Sequence, residues 1–158
     1  MITERELDKG FGSEIMSRPG GEELQKCFAC GTCTASCPVG RFDSRFNPRR
    51  IIRMALLGMR DKVLTSDFVW LCAGCHSCSE RCPQGVHIPD IMVALKNIAR
   101  EEGHTHPTLA KQIDLLRDFG RVFEVEEYDN KRRAKMGLPE LTYKNEEVAR
   151  ILDKLNVR

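Results

Sequence analysis

Apolar residues recur along this chain with the period of a helix, not of a strand. Asn47-Pro48 reads as an N-cap followed by proline at the first helical position, and Ile51, Ile52, Ala55 and Leu56 then share one face. Ser66 precedes DFVWLC, a short helix it would cap, carrying Trp70 and Leu71 toward the cysteines beyond. Ile88-Pro89 opens IPDIMVALKNIAREEG, with Ile91, Leu95 and Ile98 on one face and Gly103 as the stop. Pro107 opens PTLAKQIDLLRDFG, where Leu109, Ile113 and Leu116 are the apolar positions and Gly120 the stop. One stretch, RVFEVEEY from Arg121 to Tyr128, reads as a short extended piece. Gly137 and Pro139 break a helix that holds KRRAK, and NEEVARILDKLNVR follows with Asn145 as cap and Val148, Ile151, Leu152 and Leu155 at helical spacing. The pattern predicts an all-α fold.

Between these elements lie two cysteine runs. CFACGTCTASCPVG, Cys27 to Gly40, has the spacing C-x2-C-x2-C-x3-C closed by proline. The spacing returns in CAGCHSCSERCPQG, each cysteine 45 positions beyond its counterpart, Cys72 against Cys27 and Cys82 against Cys37. The two copies use all 8 cysteines of the chain. A disulfide framework belongs to short secreted domains, and the N-terminus MITERELDKGFGSEI lacks the charged-then-apolar form of an export signal. A zinc staple usually takes two C-x2-C pairs separated by a longer loop, whereas here a third cysteine follows at once. A thiolate at every third residue suits a 4Fe–4S cube, because a wrapping loop reaches three corner irons and leaves the fourth pointing away. C-x2-C-x2-C-x3-C-P is the run of bacterial ferredoxins, in which the fourth cysteine ligates the other cluster when two are present.

Applied here, that rule assigns one cluster to Cys27, Cys30, Cys33 and Cys82, and a second to Cys72, Cys75, Cys78 and Cys37. Pro38 and Pro83 turn the preceding cysteine out of helical geometry toward the opposite cluster. Gly31 and Gly74 let the backbone approach the sulfurs. A compact bacterial ferredoxin joins its motifs with strands and one short helix. The linker here, Arg41 to Leu71, is longer and helical, which favours an α-helical ferredoxin domain with two 4Fe–4S clusters and a helical C-terminal extension.

Composition agrees with a small carrier of clusters. With 158 residues, 6% aromatic and 30% charged, the chain has room for a modest core that the clusters help to organise. A net charge of +2 gives no reason to expect nucleic acid as a partner. The longest apolar stretches, IIRMALLGM and FVWLCAGC, fall well short of the ~18 residues that a membrane span needs. With no twin-arginine leader, the expected location is cytoplasmic. The chain has no dinucleotide fingerprint, no phosphate loop and no nucleophile or paired-carboxylate arrangement that stands out, so no catalytic residue is assigned and electron movement is the chemistry left.

The two motifs, the linker NPRRIIRMALLG and the context WLCAGCHSCSERCPQGV around Trp70 resemble the iron–sulfur C subunit of heterodisulfide reductase, over roughly Leu24 to Gly120. The cluster domain is also similar to the iron–sulfur subunits of succinate dehydrogenase, fumarate reductase and anaerobic glycerol-phosphate and glycolate dehydrogenases. Those usually carry a fused plant-type or CCG domain, for which no cysteines remain here. The resemblance implies the non-catalytic electron-transfer subunit of an oxidoreductase complex. It would sit between a flavin-containing iron–sulfur subunit and a catalytic cysteine-rich subunit that cleaves the disulfide of coenzymes M and B. Alternatives are a related sulfur-oxidising or dehydrogenase complex, or a zinc-stapled interaction module. The expected organisation is an N-terminal segment (1–23), the dicluster domain (24–104), a helical extension (105–136) and a C-terminal docking segment (137–158). His76, inside a motif whose cysteines are already complete, reads as a residue that tunes the cluster from outside its ligand set or merely faces solvent, and not as a ligand. His104 and His106 read as loop residues. The run Arg41, Arg45, Arg49, Arg50 and Arg53 reads either as a solvated face or as a charged surface for an anionic cluster or an acidic partner.

Overall fold

A computed structural model describes residues 7–155, and among them every regular element is helical. The chain divides into two compact units, Met1–Thr105 and His106–Arg158.

The first unit is built on two amphipathic helices, α4 (Pro48–Leu56) and α7 (Ile88–Glu101). Asn47 caps α4 by accepting the Arg50 N–H at 2.9 Å, with Pro48 at the first helical position. Ile51, Ile52 and Ala55 of α4 are buried, as are Ile91, Met92, Leu95 and Ile98 of α7. Apart from the small Ala55, each of these side chains contributes about 1.5–3 kcal/mol through burial. Around this core lie α1 (Phe11–Ser17), α5 (Arg60–Leu64) and four short pieces that carry or adjoin cysteines. These are the 3₁₀ turn Leu24–Lys26 leading into Cys27, α2 (Thr32–Ala35), α3 (Pro38–Phe42) and α6 (Ser77–Glu80). The short helices α2 and α6, equivalent by the 45-residue repeat, pack against each other. Residues 1–23, set apart by sequence as an N-terminal segment, include α1, whose Phe11 and Ile15 are fully buried in the same core.

Arg60 ties the ends of this unit together. Its guanidinium donates to Asp8 at 3.1 Å, to Glu14 and to Glu102, and lies 5.1 Å from the centroid of the Phe11 ring. Beside it Arg18 makes a two-pronged pair with Glu101 at 2.9 and 2.5 Å.

The second unit comprises α8 (Pro107–Phe119), α9 (Glu127–Lys135) and α10 (Glu146–Lys154). Helix α10 packs against α8, with Val148 and Leu152 half-buried while Ile151 and Leu155 stay exposed. Asn145 caps α10, accepting the Glu147 N–H at 3.0 Å, and its own N–H donates to the Phe119 carbonyl at 3.1 Å. The buried Asn130 side chain exchanges two hydrogen bonds of 2.9 Å with the Leu141 backbone, pinning the loop after α9.

Two local expectations need correction. Arg121 to Glu126 is irregular chain, and Glu127 and Tyr128 already belong to α9. Glu126 and Asp129 form a reciprocal capping box that starts the helix, while no strand among the described residues offers a ladder for RVFEVEEY. Ser66 does not cap the following segment: its hydroxyl donates backward to the Val63 carbonyl at 2.7 Å, and Asp67–Leu71 forms a 3₁₀ turn.

Candidate metal centres

Each motif begins with a loop that wraps inward. In the first, Ala29 and Gly31 take left-handed φ values of 62° and 90°; in the second, Gly74 and His76 take 63° and 58°. These are the same two positions of the repeat, so both loops share one backbone path. In each loop the two flank a cysteine, Cys30 or Cys75, whose φ is negative, and such alternation in the sign of φ turns N–H groups toward a common concavity, the nest geometry that holds phosphates and iron–sulfur clusters. A Cβ built on Gly74 would meet nothing within 4 Å, so its glycine serves the dihedral and not a close approach.

The loops line two cavities of nearly equal size. The first, about 330 Å³, is lined by Cys27, Cys30, Cys33 and Cys82, together with Phe28, Arg49 and Ile88. The second, about 310 Å³, is lined by Cys72, Cys75, Cys78 and Cys37, together with Phe46, His76 and Ile88. Three cysteines of one motif thus meet the fourth of the other in both cavities. Cys37 reaches across because Pro38 holds it extended, at φ −74° and ψ 118°, as the N-cap of α3; its Sγ accepts the Gly40 N–H at 3.4 Å. Trp70 and Leu71 pack against the core and do not line the second cavity, which corrects their expected delivery to it.

Burial differs within each set. Cys33 is buried and Cys78 half-buried, and loss of solvent pushes both up, Cys78 to about 11. Cys30 and Cys75 stand at the exposed rim. The Thr32 hydroxyl, 3.4 Å from Cys30 Sγ, draws that thiol below its ordinary range, and the Ser77 backbone N–H and hydroxyl do the same for Cys75. Lys96 Nζ donates to the Cys72 carbonyl at 3.3 Å, setting a cation behind the second loop.

The donor set fits iron–sulfur clusters. Among the described residues no group of three or more His, Cys, Asp or Glu side chains converges as one metal ion requires. Zinc needs four sulfurs about 2.3 Å from a single point, whereas a cube spreads its four ligands over separate corners. His106 is occupied otherwise, its Nδ1 accepting the Thr108 N–H at 3.3 Å as the cap of α8. Sequence reasoning passed over Ile88, which lines both cavities, and the left-handed pair Ala29 and His76. The 45-residue register contains the second signal, since it aligns Ala29 with Gly74 and Gly31 with His76.

Comparison with known proteins agrees. Residues 23–86 match the family model described as 4Fe-4S dicluster domain. The chain is 43% identical over 111 residues to the C2 subunit of the H(2)/formate:CoB-CoM heterodisulfide,ferredoxin reductase of Methanococcus maripaludis, covering 66% of this chain and 59% of that protein. It is 36% identical over 141 residues to the C subunit of the H(2):CoB-CoM heterodisulfide,ferredoxin reductase of Methanothermobacter thermautotrophicus, covering 89% and 75%. With the iron-sulfur C subunit of the CoB--CoM heterodisulfide reductase of Methanopyrus kandleri it shares 35% identity over 169 residues, covering 98% and 85%. The chain thus spans less than two thirds of the first relative's length and three quarters or more of the other two.

Proposed function

Since the chain belongs to the family of heterodisulfide reductase iron–sulfur C subunits, an iron–sulfur electron-transfer family, we propose that it carries two 4Fe–4S clusters and relays electrons within an oxidoreductase complex. In this reading one cluster is held by Cys27, Cys30, Cys33 and Cys82, the other by Cys72, Cys75, Cys78 and Cys37. The observation that carries it is the crossed lining of the two cavities. When bound, each cluster supplies one-electron oxidation and reduction. The chain's own residues do the rest. The left-handed pairs aim backbone N–H groups inward. Thr32 and Ser77 hydrogen-bond the rim sulfurs. Ile88, 2% exposed, is an apolar side chain common to the walls of both cavities, and helps to keep water out of each.

The proposed electron donor is a flavin-containing subunit and the acceptor a cysteine-rich subunit that reduces the heterodisulfide of coenzymes M and B. The chain alone has no catalytic role, and residues 137–158 help to dock it. Among the described residues no helix is long and apolar enough to cross a membrane. A cytoplasmic complex is part of the same reading, since eight ligating thiols need a reducing compartment. Anaerobic purification tests the core of the proposal. A brown protein with about eight irons per chain, bleached by dithionite, is the expected result. A colourless protein holding zinc would overturn it.

A further inference from the structure

Three arginines of α4 form one exposed group of cations. Arg18, Arg45 and Arg60 each pair with a carboxylate. Arg49, Arg50 and Arg53 are exposed, and among the described residues none has an ion-pair partner. Arg49 and Arg50 also lie in the first turn of α4, which holds no acidic residue. The positive end of the helix dipole disfavours cations there, so this end gathers positive potential that no carboxylate of its own turn offsets.

The same three side chains line an open depression of about 700 Å³ whose apolar part includes Leu57 and Met59. Leu57 is 44% exposed. The depression adjoins the first cluster cavity: Ala29 and Arg49 line both, and Arg49 Nη1 would lie 3.7 Å from a Cβ built on Gly31. We propose that this depression is a docking site for an acidic, partly apolar segment of the subunit that exchanges electrons with the first cluster. Carboxylates would meet Arg49, Arg50 and Arg53 while an apolar side chain covers Leu57 and Met59, bringing the partner against the Ala29 loop. The breadth and openness of the depression suit a protein segment, and its charge sets the sign of that segment. The inference rests on the electron-transfer reading above.

The test uses the full chain, tagged and co-expressed with the other subunits of its complex. R50E/R53E should hold those subunits about tenfold less tightly than wild type and lose most of the salt dependence of binding, with iron content unchanged. R50K/R53K should retain them, and a carbodiimide should couple the new amines to an acidic segment of one subunit. Retention by R50E/R53E equal to wild type, or coupling confined to this chain, would overturn the proposal. So would protection of the three arginines from phenylglyoxal by inorganic phosphate but not by the subunits. An iron-replete R50E/R53E protein that keeps its partners defeats the docking site alone, whereas a wild-type protein without clusters defeats the electron-transfer reading.

Discussion

Arg60 joins four side chains distant in sequence, and its loss should be felt across the whole first unit. Arg60→Ala takes from Glu14 its hydrogen-bonded cation, leaving only Arg18 at 3.8 Å, and removes the arginine of Glu102; it is expected to lower stability by about 2 kcal/mol, read from the thermal midpoint. The pair also sets an acid limit. The hydrogen bond from Arg60 holds the Glu14 carboxyl below its ordinary 4.5, so its contribution is present above that value and lost as the pH falls through the lowered one. Arg60 is held above its own ordinary range and stays charged throughout. Denaturant midpoints measured downward from pH 4.5 should therefore fall more steeply for wild type than for Arg60→Ala. At the cluster sites, the cavity linings lead to a second expectation. Cys37→Ser should damage the cluster held by Cys72, Cys75 and Cys78, and Cys82→Ser the one held by Cys27, Cys30 and Cys33. Paramagnetic resonance of the two reduced variants distinguishes the clusters. Damage confined to the motif that carries the mutation would refute the crossed ligand sets.

Among the elements, two glycines with similar dihedrals are predicted to respond differently. Gly74 (φ 63°) faces open space, and its counterpart Ala29 already carries a side chain at φ 62°, so Gly74→Ala should cost about 1 kcal/mol and leave iron binding intact. Gly120 (φ 72°) ends α8 where a Cβ would stand 2.7 Å from both Asn145 Cβ and its carbonyl oxygen. Gly120→Ala should cost about 3 kcal/mol or more and separate α10 from α8, seen as faster amide exchange in Glu146–Lys154. Four of the longer helices were readable in the sequence: Asn47-Pro48, Ile88-Pro89, Pro107 and Asn145 mark starts, and Gly103 and Gly120 mark stops, because caps and breakers act locally, whereas the short α1 and α5 were not. RVFEVEEY was not, because its alternation is also met by a loop feeding a capping box, and the choice depends on a partner strand that local sequence does not disclose. The cysteine ligands stood out through spacing alone. Ile88 and Lys96 did not, since the cavity-lining role of the first and the contact of the second with Cys72 arise only when separate helices come together.

For the molecule as a whole, the division at Thr105 separates metal binding from the last three helices. Deleting Asn145 to Arg158 removes α10, which packs against α8. The expected outcome is unchanged visible absorption with weaker co-purification of the other subunits. A truncated protein without clusters would assign the tail to the cluster-bearing unit, and one that binds its partners undiminished would end its docking role. Within the first unit, the crossed lining makes each motif a custodian of the other's cargo. Under the proposed ligand sets, iron loaded on one side would present a fixed sulfur to the far side, and oxygen that strips one cluster would release a strut beneath its neighbour. Filling and loss of the two sites should then be coupled, so that half-filled chains are scarcer than independent filling would make them.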